Sequence, residues 1–401
     1  MLKKILLPLL LATNVMAAQP PEAPTLYIDN VGKNVNVKWN NVPDVMGYRL
    51  LYAKYPYGQR DKIGVIDMGM NTNFNIDLWE GVAYYVAVVA YDKQGTSDYS
   101  NIGFLQIRDR GEAYRDYWRN VKYNFQGPLY DEKPIRESCF AGVISPEAKD
   151  RLTESLNQTR LLHNEPPVVY EYASDKEVQD SAMMQWVNGY LSHYPYTRDE
   201  CYTEEAASGA RSSNILSGST GDPARDVMRF MDDSNNISNI YAVGHRRWLI
   251  SPFSKFTAYG QVYGKSTLKV FRFPDGSVQQ PEDIPDYVAY PYMRYPHVLI
   301  SHKAPWSLSI VENKHSAWGN QHEYFTNSNI NVTEKGTGRK LIVGNVYQDT
   351  SGVGVPNIIS WDMKDWEYDT WYVVRVSNIH YQSGDVRELS YDVYIDYKNL
   401  K

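Results

Sequence analysis

The period of the apolar pattern changes twice along this chain, and no other feature of the sequence constrains its fold as strongly. Between residues 35 and 90 apolar side chains alternate, as at Val35, Val37 and Trp39. From residue 145 the spacing becomes helical, as at Val178 and Ala182, and after residue 270 the alternation returns. A period of 2 indicates strands and a period of about 3.6 indicates helices. The sequence therefore predicts a multidomain chain with an N-terminal β-sandwich, a central α+β domain and a C-terminal β-sandwich.

Turn residues and changes in composition set the boundaries of these parts. The chain has 401 residues, which is room for two or three domains. The predicted order is a signal peptide at 1–18, a β-sandwich at 21–108, a connecting segment at 109–144, an α+β domain at 145–269 and a second sandwich at 270–401. The second sandwich is expected to have about eight strands, a usual number for this architecture.

The N-terminus has the layout of a secretory signal peptide. Lys3 and Lys4 precede an apolar run at 5–12, and the small residues Ala17 and Ala18 follow. We therefore expect a secreted or periplasmic protein. No later apolar run approaches the roughly 18 residues that a membrane span needs, so no transmembrane segment is expected. A formal charge of −6 without a long basic run argues against nucleic acid as a partner.

The chain has two cysteines, Cys139 and Cys201. In an oxidising compartment they are candidates for a disulfide that would tie the connecting segment to the α+β domain. Two free thiols are the alternative, and the sequence leaves both open.

The first β region resembles a fibronectin type III domain. The resemblance depends on a proline-rich entry, a tryptophan and a tyrosine in successive strands, a leucine six residues before a second tyrosine, and a polar exit: Pro21, Pro24, Trp39, Tyr48, Leu78, Tyr84, Gly95-Thr96-Ser97 and Ser100. Such a module implies either a spacer or a surface for adhesion and partner docking. Tyr84 would form the tyrosine corner of the sandwich.

Three helix starts are predicted in the central region. Ser145-Pro146 and Asp222-Pro223 each place a capping residue before a proline, whose missing N–H is tolerated in the first turn. Ser174 with Glu177 has the spacing of a capping box.

Two histidines are candidates for chemistry. His193 precedes Pro195 and is predicted at a helix exit, where it could instead stabilise the helix C-terminus as a cation. His245 follows Gly244 and precedes Arg246 and Arg247, whose charge would disfavour its protonation. A neutral imidazole can act as a base or a metal ligand; a plain loop histidine is the alternative.

The order of short segments in 146–265 resembles the CAP superfamily, which includes cysteine-rich secretory proteins, venom antigens, plant pathogenesis-related proteins and bacterial relatives. The matching segments are a helix motif, a histidine at a helix exit, an asparagine–isoleucine pair and a glycine–histidine–arginine block: Leu156-Asn157-Gln158-Thr159-Arg160, Ser192-His193, Asn214-Ile215 and Gly244-His245-Arg246-Arg247-Trp248-Leu249-Ile250. The block is similar to that of the bacterial branch. The resemblance implies a three-layer α-β-α fold.

The resemblance also implies a cleft with two histidines and two acids. His193 and His245 match the histidines, and Asp233 matches one acid. The position of the second acid, before the kept Asn214, is occupied by Ser213. A hydroxyl supplies neither the charge nor the basicity of a carboxylate near pH 7. Glu204 or Glu205 in the intervening loop is a conjectural replacement.

Three functions follow from this reading. The first is a binding protein that holds a lipid, glycan or protein partner in the two-histidine cleft without turnover. The second is a zinc-assisted hydrolase, because the resemblance implies zinc at His193 and His245, with Asp233 as a further ligand. The third is a structural or adhesive exoprotein. A Ser213–His245–Asp233 triad is conceivable, but no nucleophile elbow surrounds the serine.

Overall fold

A computed structural model describes residues 19–31, 34–55, 63–78, 83–107, 112–121, 125–274 and 279–400. The predicted signal peptide at 1–18 lies outside the described residues. The chain divides into two compact units, residues 1–109 and 110–401, and each is described by itself. In the described residues, no helix combines the length and apolar content that crossing a bilayer requires.

The first unit is an antiparallel β-sandwich. Its strands are β1 Leu26–Val31, β2 Asn34–Trp39, β3 Gly47–Lys54, β4 Gly64–Gly69, β5 Asn73–Asp77, β6 Ala83–Tyr91 and β7 Gly103–Gln106. One sheet has the order β1-β2-β5 and the other β4-β3-β6-β7. The inward residues of both sheets form one core that includes Val35, Val37, Tyr48 and Val88. The predicted fibronectin type III-like sandwich is confirmed by this arrangement of strands. The Tyr84 corner stays a prediction.

The second unit begins with a helix and an antiparallel strand pair. Helix α1 covers Glu112–Asn120, and β8 Tyr130–Glu132 pairs with β9 Val143–Ile144. Trp118 and Val121 are buried in the core of this unit. Part of the segment predicted as a connection thus packs into the core of the second unit.

The central helices and strands follow. The helices are α2 Pro146–Leu162, α3 Asp175–Asn188, α4 Glu204–Arg211, α5 Pro223–Asp232 and α6 Gly244–Leu249. The strands are β10 Val169–Tyr170, β11 Ser213–Ser217, β12 Phe256–Val262 and β13 Lys265–Lys269, in the sheet order β10-β12-β13-β11.

Helices lie on both faces of this sheet. On one face Gly260 lies so close to α3 that an added Cβ would come within 2.3 Å of the Val178 carbonyl oxygen. On the other face the Tyr259 hydroxyl donates to Asp226 of α5 at 2.7 Å. Tyr259 and Gly260 are neighbours in β12 and therefore face opposite sides of the sheet, as strand geometry requires.

Two of the three predicted helix starts are confirmed by hydrogen bonds. Ser145 accepts from the N–H of Ala148 at 3.1 Å, and Asp222 accepts from that of Ala224, also at 3.1 Å. The capping box at Ser174 is wrong, because Ser174 makes no capping bond to α3. Glu177 instead forms a salt bridge with Lys269 of the sheet. The Ser174 hydroxyl donates to Glu171 at 3.2 Å, at the end of the 3-10 turn that precedes α3.

Residues 279–400, as the structure describes them, form eight strands in two four-stranded sheets. The strands are β14 Tyr287–Tyr290, β15 Met293–Pro296, β16 Trp306–Ile310, β17 Asn329–Glu334, β18 Ile342–Asp349, β19 Ile358–Lys364, β20 Trp371–His380 and β21 Val386–Asp396. The sheet orders are β14-β16-β19-β18 and β15-β21-β20-β17. A C-terminal region built of β-sheets agrees with the sequence expectation, whereas the bounds 270–401 stay a prediction.

The segments 145–269 and 270–401 share one hydrophobic core. His163, at the end of α2, lies between Ala289 and Tyr295 of the sandwich, with its ring nitrogens 2.8 Å from the Ala289 carbonyl and 3.1 Å from the Tyr295 hydroxyl. The division of 110–401 at residues 144 and 269 stays a prediction, because the main core contains residues from all three segments.

Candidate functional site

The candidate site is built around an aspartate that holds a histidine. Asp233 directly follows α5 in the left-handed conformation, with φ +52°. Its Oδ1 lies 2.7 Å from Nδ1 of His245, and its Oδ2 accepts the backbone N–H groups of His245 at 3.0 Å and Arg246 at 3.3 Å. The Asp233 side chain is completely buried. The aspartate therefore fixes the position and ring orientation of His245 at the start of α6.

The second histidine is held by a different element. Helix α3 ends at Asn188 because Gly189 takes φ +74°. His193 therefore lies five residues beyond the last helical residue, and not directly at the helix exit that the sequence predicted. Its Nδ1 is 2.7 Å from the carbonyl oxygen of Ala210, in the last turn of α4. His193 does contact the C-terminus of a helix, but that helix is α4.

The two histidines are close enough to affect one another electrostatically. His193 as a residue is exposed, yet protein atoms crowd its ring, and this burial lowers the pKa of His193 below 6.5. The charge of His245 lowers it further, and the hydrogen bond to Ala210 opposes both effects. We expect a modest shift, because the ring keeps contact with water.

A pH prediction follows from this shift. A histidine with a lowered pKa in the folded state takes up its proton first in the unfolded state as the pH falls below 6.5. Unfolding free energy should therefore fall from pH 6.5 towards the lower folded pKa, and His193 should contribute no slope above that window. Urea titrations of the wild type and His193→Gln should differ in slope only there. Identical slopes, or an NMR titration of the His193 ring centred above 6.5, would contradict the assignment.

The remaining nitrogen of each ring faces no hydrogen-bond partner among the described residues. Nδ1 of both histidines is engaged, by Ala210 and by Asp233, while the hydrogen bonds of the described chain leave Nε2 of each unused. Asn214 contributes from the sheet, donating from Nδ2 to the His245 carbonyl oxygen at 3.0 Å. This amide therefore braces the segment of His245 against β11.

Ser213 lies apart from these groups. In the antiparallel pair of β11 and β13, Ser213 lies opposite Lys269 and Asn214 lies opposite Leu268. Cross-strand partners share a face and neighbours along a strand alternate, so Ser213 is on the α3 face with Lys269, which pairs with Glu177. The Ser213 hydroxyl is buried and has no hydrogen-bond partner in the described chain. The Ser213–His245–Asp233 triad is therefore not formed.

The two glutamates proposed as replacements are also elsewhere. Glu204 and Glu205 lie in the first turn of α4 and are exposed, whereas Ala210, which holds His193, lies in its last turn. Glu204 accepts from the hydroxyl of Tyr202 at 2.8 Å. The structure thus brings His193, Asn214, Asp233 and His245 together without a second acid.

The zinc ligand set implied by the resemblance does not fit this geometry. Catalytic zinc commonly has three protein ligands, but both oxygens of Asp233 are used by His245 and by backbone N–H groups. In the described part of the chain, no three His, Cys, Asp or Glu side chains form a group that could hold a metal ion. Zinc on His193 and His245 alone stays a prediction.

Three further contacts were missed by the sequence reasoning. Asn236 donates to Asp233 Oδ1 at 3.2 Å, and only the polar loop at 234–239 hinted at it. Arg246 and Arg247 were expected to act on His245, but their guanidinium groups contact the C-terminal sandwich: Arg246 donates to the Pro305 carbonyl at 2.7 Å and Arg247 to Asp349 at 2.5 Å. The block that carries His245 is therefore anchored on residues 270–401.

The expected disulfide is present. Cys139 and Cys201 are bonded, with 5.4 Å between their Cα atoms. It joins the segment before α2 to the loop between α3 and α4, and an exposed ion pair between Arg136 and Glu200 lies beside it at 3.2 Å. The loop that carries His193 is thus attached covalently to the rest of the second unit.

Comparisons with known proteins concern parts of the chain. No protein-family model matches, and no curated protein matches. Solved structures that match include one described as a myokine structure (21% identity, 22% of this chain and 99% of that chain, TM-score 0.20). Another is the FN5 domain of Drosophila Lar, with 20% identity over 22% of this chain and 98% of that chain and a TM-score of 0.20. A third is a Fn3-like protein from Clostridium thermocellum, with 22% identity over 23% of this chain and 94% of that chain and a TM-score of 0.18. At these scores the likeness carries no argument about function.

Proposed function

We propose that this chain is an exported CAP-like binding protein that holds a polar ligand between His193 and His245 without chemical turnover. The observation that carries the proposal is the pair of imidazoles, each with an anchored Nδ1 and with an Nε2 that no hydrogen bond among the described residues uses. An imidazole Nε2 donates or accepts a hydrogen bond according to tautomer. Two anchored rings therefore offer a preorganised polar binding site.

Several features support the CAP-like assignment and export. The sheet of 145–269 has helices on both faces, and three of the four cleft positions implied by the resemblance are occupied by matching or related residues. The disulfide between Cys139 and Cys201 is typical of proteins that mature in an oxidising compartment.

The absence of turnover in this proposal has a chemical reason. Hydrolysis needs a base or nucleophile that is free to react. Both carboxylate oxygens of Asp233 already accept hydrogen bonds, from the His245 ring and from backbone N–H groups. Ser213 lies on the face of the sheet opposite to that of Asn214. The cleft thus retains groups that bind and lacks an evident partner for His245 in covalent catalysis.

The test uses three probes against the full chain without residues 1–18. The probes are a hexasaccharide of β-1,4-linked N-acetylglucosamine, phosphatidylglycerol–phosphatidylcholine vesicles, and β-casein as an unfolded polypeptide. We expect at least one to bind and to be recovered intact by mass spectrometry. The variant His193→Ala/His245→Ala should weaken that binding by about tenfold or more, which is a loss of about 1.4 kcal/mol.

His302→Ala is the matched control, because this imidazole is exposed and stacks on Trp366. It should bind as the wild type does. Binding of none of the probes, equal binding by the double variant, or cleavage of the bound probe would each contradict the proposal. Retained surface attachment by the double variant, with loss on deletion of 21–108, would favour the adhesive alternative instead.

A further inference from the structure

The first imidazole of the candidate site carries its hydrogen on Nδ1. Nδ1 of His193 lies 2.7 Å from the carbonyl oxygen of Ala210. A carbonyl oxygen has no hydrogen to donate, so the ring must donate in this bond. A neutral imidazole has one N–H group, so Nε2 of His193 then presents a bare lone pair. The backbone of α4 thus fixes the tautomer of this histidine.

The second imidazole is fixed in the same tautomer by Asp233. Its Oδ2 accepts the backbone N–H groups of His245 at 3.0 Å and Arg246 at 3.3 Å, and its Oδ1 accepts the Asn236 amide at 3.2 Å. Both oxygens are therefore acceptors, so Nδ1 of His245, 2.7 Å from Oδ1, supplies the hydrogen of that bond. The Asn236 amide is 3.4 Å from Nδ1 itself, which is longer than its contact with the carboxylate. Neutral His245 thus also presents a lone pair at Nε2.

Both lone pairs are within reach of a ligand. His193 is exposed, the His245 side chain is 23% exposed, and no hydrogen bond among the described residues uses either Nε2 atom. The charge of His245 contributes to the lowered pKa of His193, so the two rings lie within electrostatic range of each other. Two acceptors select a ligand that brings N–H or O–H groups. They disfavour a carboxylate or a phosphate, whose oxygens bring further lone pairs.

The charges beside the second ring favour a cation over a neutral donor. Asp232 and Asp233 are adjacent carboxylates. The Arg246 guanidinium lies next to them and donates to the backbone carbonyl of Asp232 at 2.8 Å. The Arg247 guanidinium is directed elsewhere, to Asp349 at 2.5 Å. Among these groups two carboxylates therefore share one nearby guanidinium, and the remaining negative charge favours a positively charged ligand.

We propose that the ligand of the candidate site carries a primary ammonium group, which donates hydrogen bonds to Nε2 of His193 and Nε2 of His245. This rests on the proposed function, because it names the ligand class of the same site. An ammonium group has three donors and no acceptor, so it satisfies both lone pairs and keeps one N–H for water. Free aliphatic amines and the lysine side chains of a polypeptide share this chemistry.

The test uses probes of equal chain length that differ only in their end groups: hexane-1,6-diamine, hexane-1,6-diol and adipate. Binding to the full chain without residues 1–18 is measured by isothermal titration calorimetry at about pH 8, where an imidazole is mostly neutral. The diamine should bind at least about tenfold more tightly than the diol, and adipate should not bind. Lysine-acetylated β-casein should not bind either. Binding of unmodified β-casein would assign the amine to a polypeptide, and its absence would assign a free amine.

Asp233→Asn tests the tautomer itself. Asparagine tolerates the left-handed backbone at this position, φ +52°, so the variant should fold. The new amide oxygen can accept the backbone N–H groups, while the NH2 group faces Nδ1 of His245 and moves the ring hydrogen to Nε2. Diamine binding should then weaken by about tenfold or more, and two-bond 1H–15N NMR spectra should show the exchanged tautomer. Asp365→Asn is the matched control, because Asp365 is exposed and also left-handed, with φ +61°.

The outcomes separate the ammonium assignment from the proposed function. Binding of the hexasaccharide or the vesicles, but not of the diamine, that is lost in His193→Ala/His245→Ala overturns the ammonium assignment alone. Diamine binding that the double variant retains in full overturns both. Equal diamine binding by Asp233→Asn and the wild type, or wild-type spectra with the hydrogen on Nε2, would refute the tautomer argument. Zinc that binds the wild type and blocks the diamine would assign the lone pairs to a metal instead.

Discussion

Replacement of Arg246 by methionine should lower the free energy of unfolding by about 3–5 kcal/mol. The Arg246 guanidinium is fully buried, and it donates to the carbonyl oxygens of Met231 at 2.6 Å, Pro305 at 2.7 Å and Asp232 at 2.8 Å. Its Cζ also lies 3.4 Å from the ring centroid of Tyr290. Methionine fills much of the volume but leaves these buried carbonyls without donors.

Urea unfolding of the full chain, followed by tryptophan fluorescence, measures the effect. Arg375→Met is the control, because this side chain is 56% exposed and pairs with Glu388 at 3.1 Å. Its removal should change stability by less than about 1 kcal/mol. If Arg246→Met were as stable as Arg375→Met, the guanidinium would not be the link that joins α5, α6 and the sandwich.

Removal of the disulfide should have an effect of similar size. Cys139 and Cys201 are 62 residues apart in sequence. In the chain-entropy model, opening a loop of this length lowers the free energy of unfolding by about 4 kcal/mol. Cys139→Ser/Cys201→Ser should therefore unfold at a markedly lower urea concentration. The reason is the larger conformational freedom of the unfolded chain, so the folded structure should change little.

Reduction of the wild type supplies the matched comparison. The reduced chain and the double serine variant should share one unfolding midpoint, below that of the oxidised wild type. If oxidised and reduced chains unfolded at the same midpoint, the bond would contribute nothing to the second unit. Weaker stability with unchanged ligand binding would show that the loop of His193 keeps its position through the Ala210 hydrogen bond.

Sequence patterns predicted strands and helix starts well where the interactions that form them lie within a single strand or helix. The alternating runs became strands, and Ser145 and Asp222 cap the helices expected from their sequence. Ser174 does not cap because it closes a 3-10 turn and its hydroxyl donates to Glu171, while Glu177 reaches across to Lys269. The energy of a buried ion pair depends on the partner element, which periodicity does not report.

In the candidate site, too, the sequence indicated residue identities, whereas their faces and partners depend on contacts between elements. The resemblance placed His193, Asp233 and His245 in one cleft, which stays a prediction; within that set the structure pairs Asp233 with His245 Nδ1. Ser213 could not be assigned to a face, because a side chain's face depends on strand register against β13. Asn236 was missed because its loop has no periodic signal.

The sequence by itself determined the order of β, α+β and β segments, two of three helix caps, and the two cysteines available for pairing. These follow from side-chain period and from hydrogen bonds between near neighbours in the chain. Only the tertiary structure decided which groups contact His193 and His245, and that Arg246 and Arg247 fasten the segment of His245 to the C-terminal sandwich. The contacts of the two arginines with the sandwich join residues 59 to 108 positions apart, and the packing of whole elements sets them.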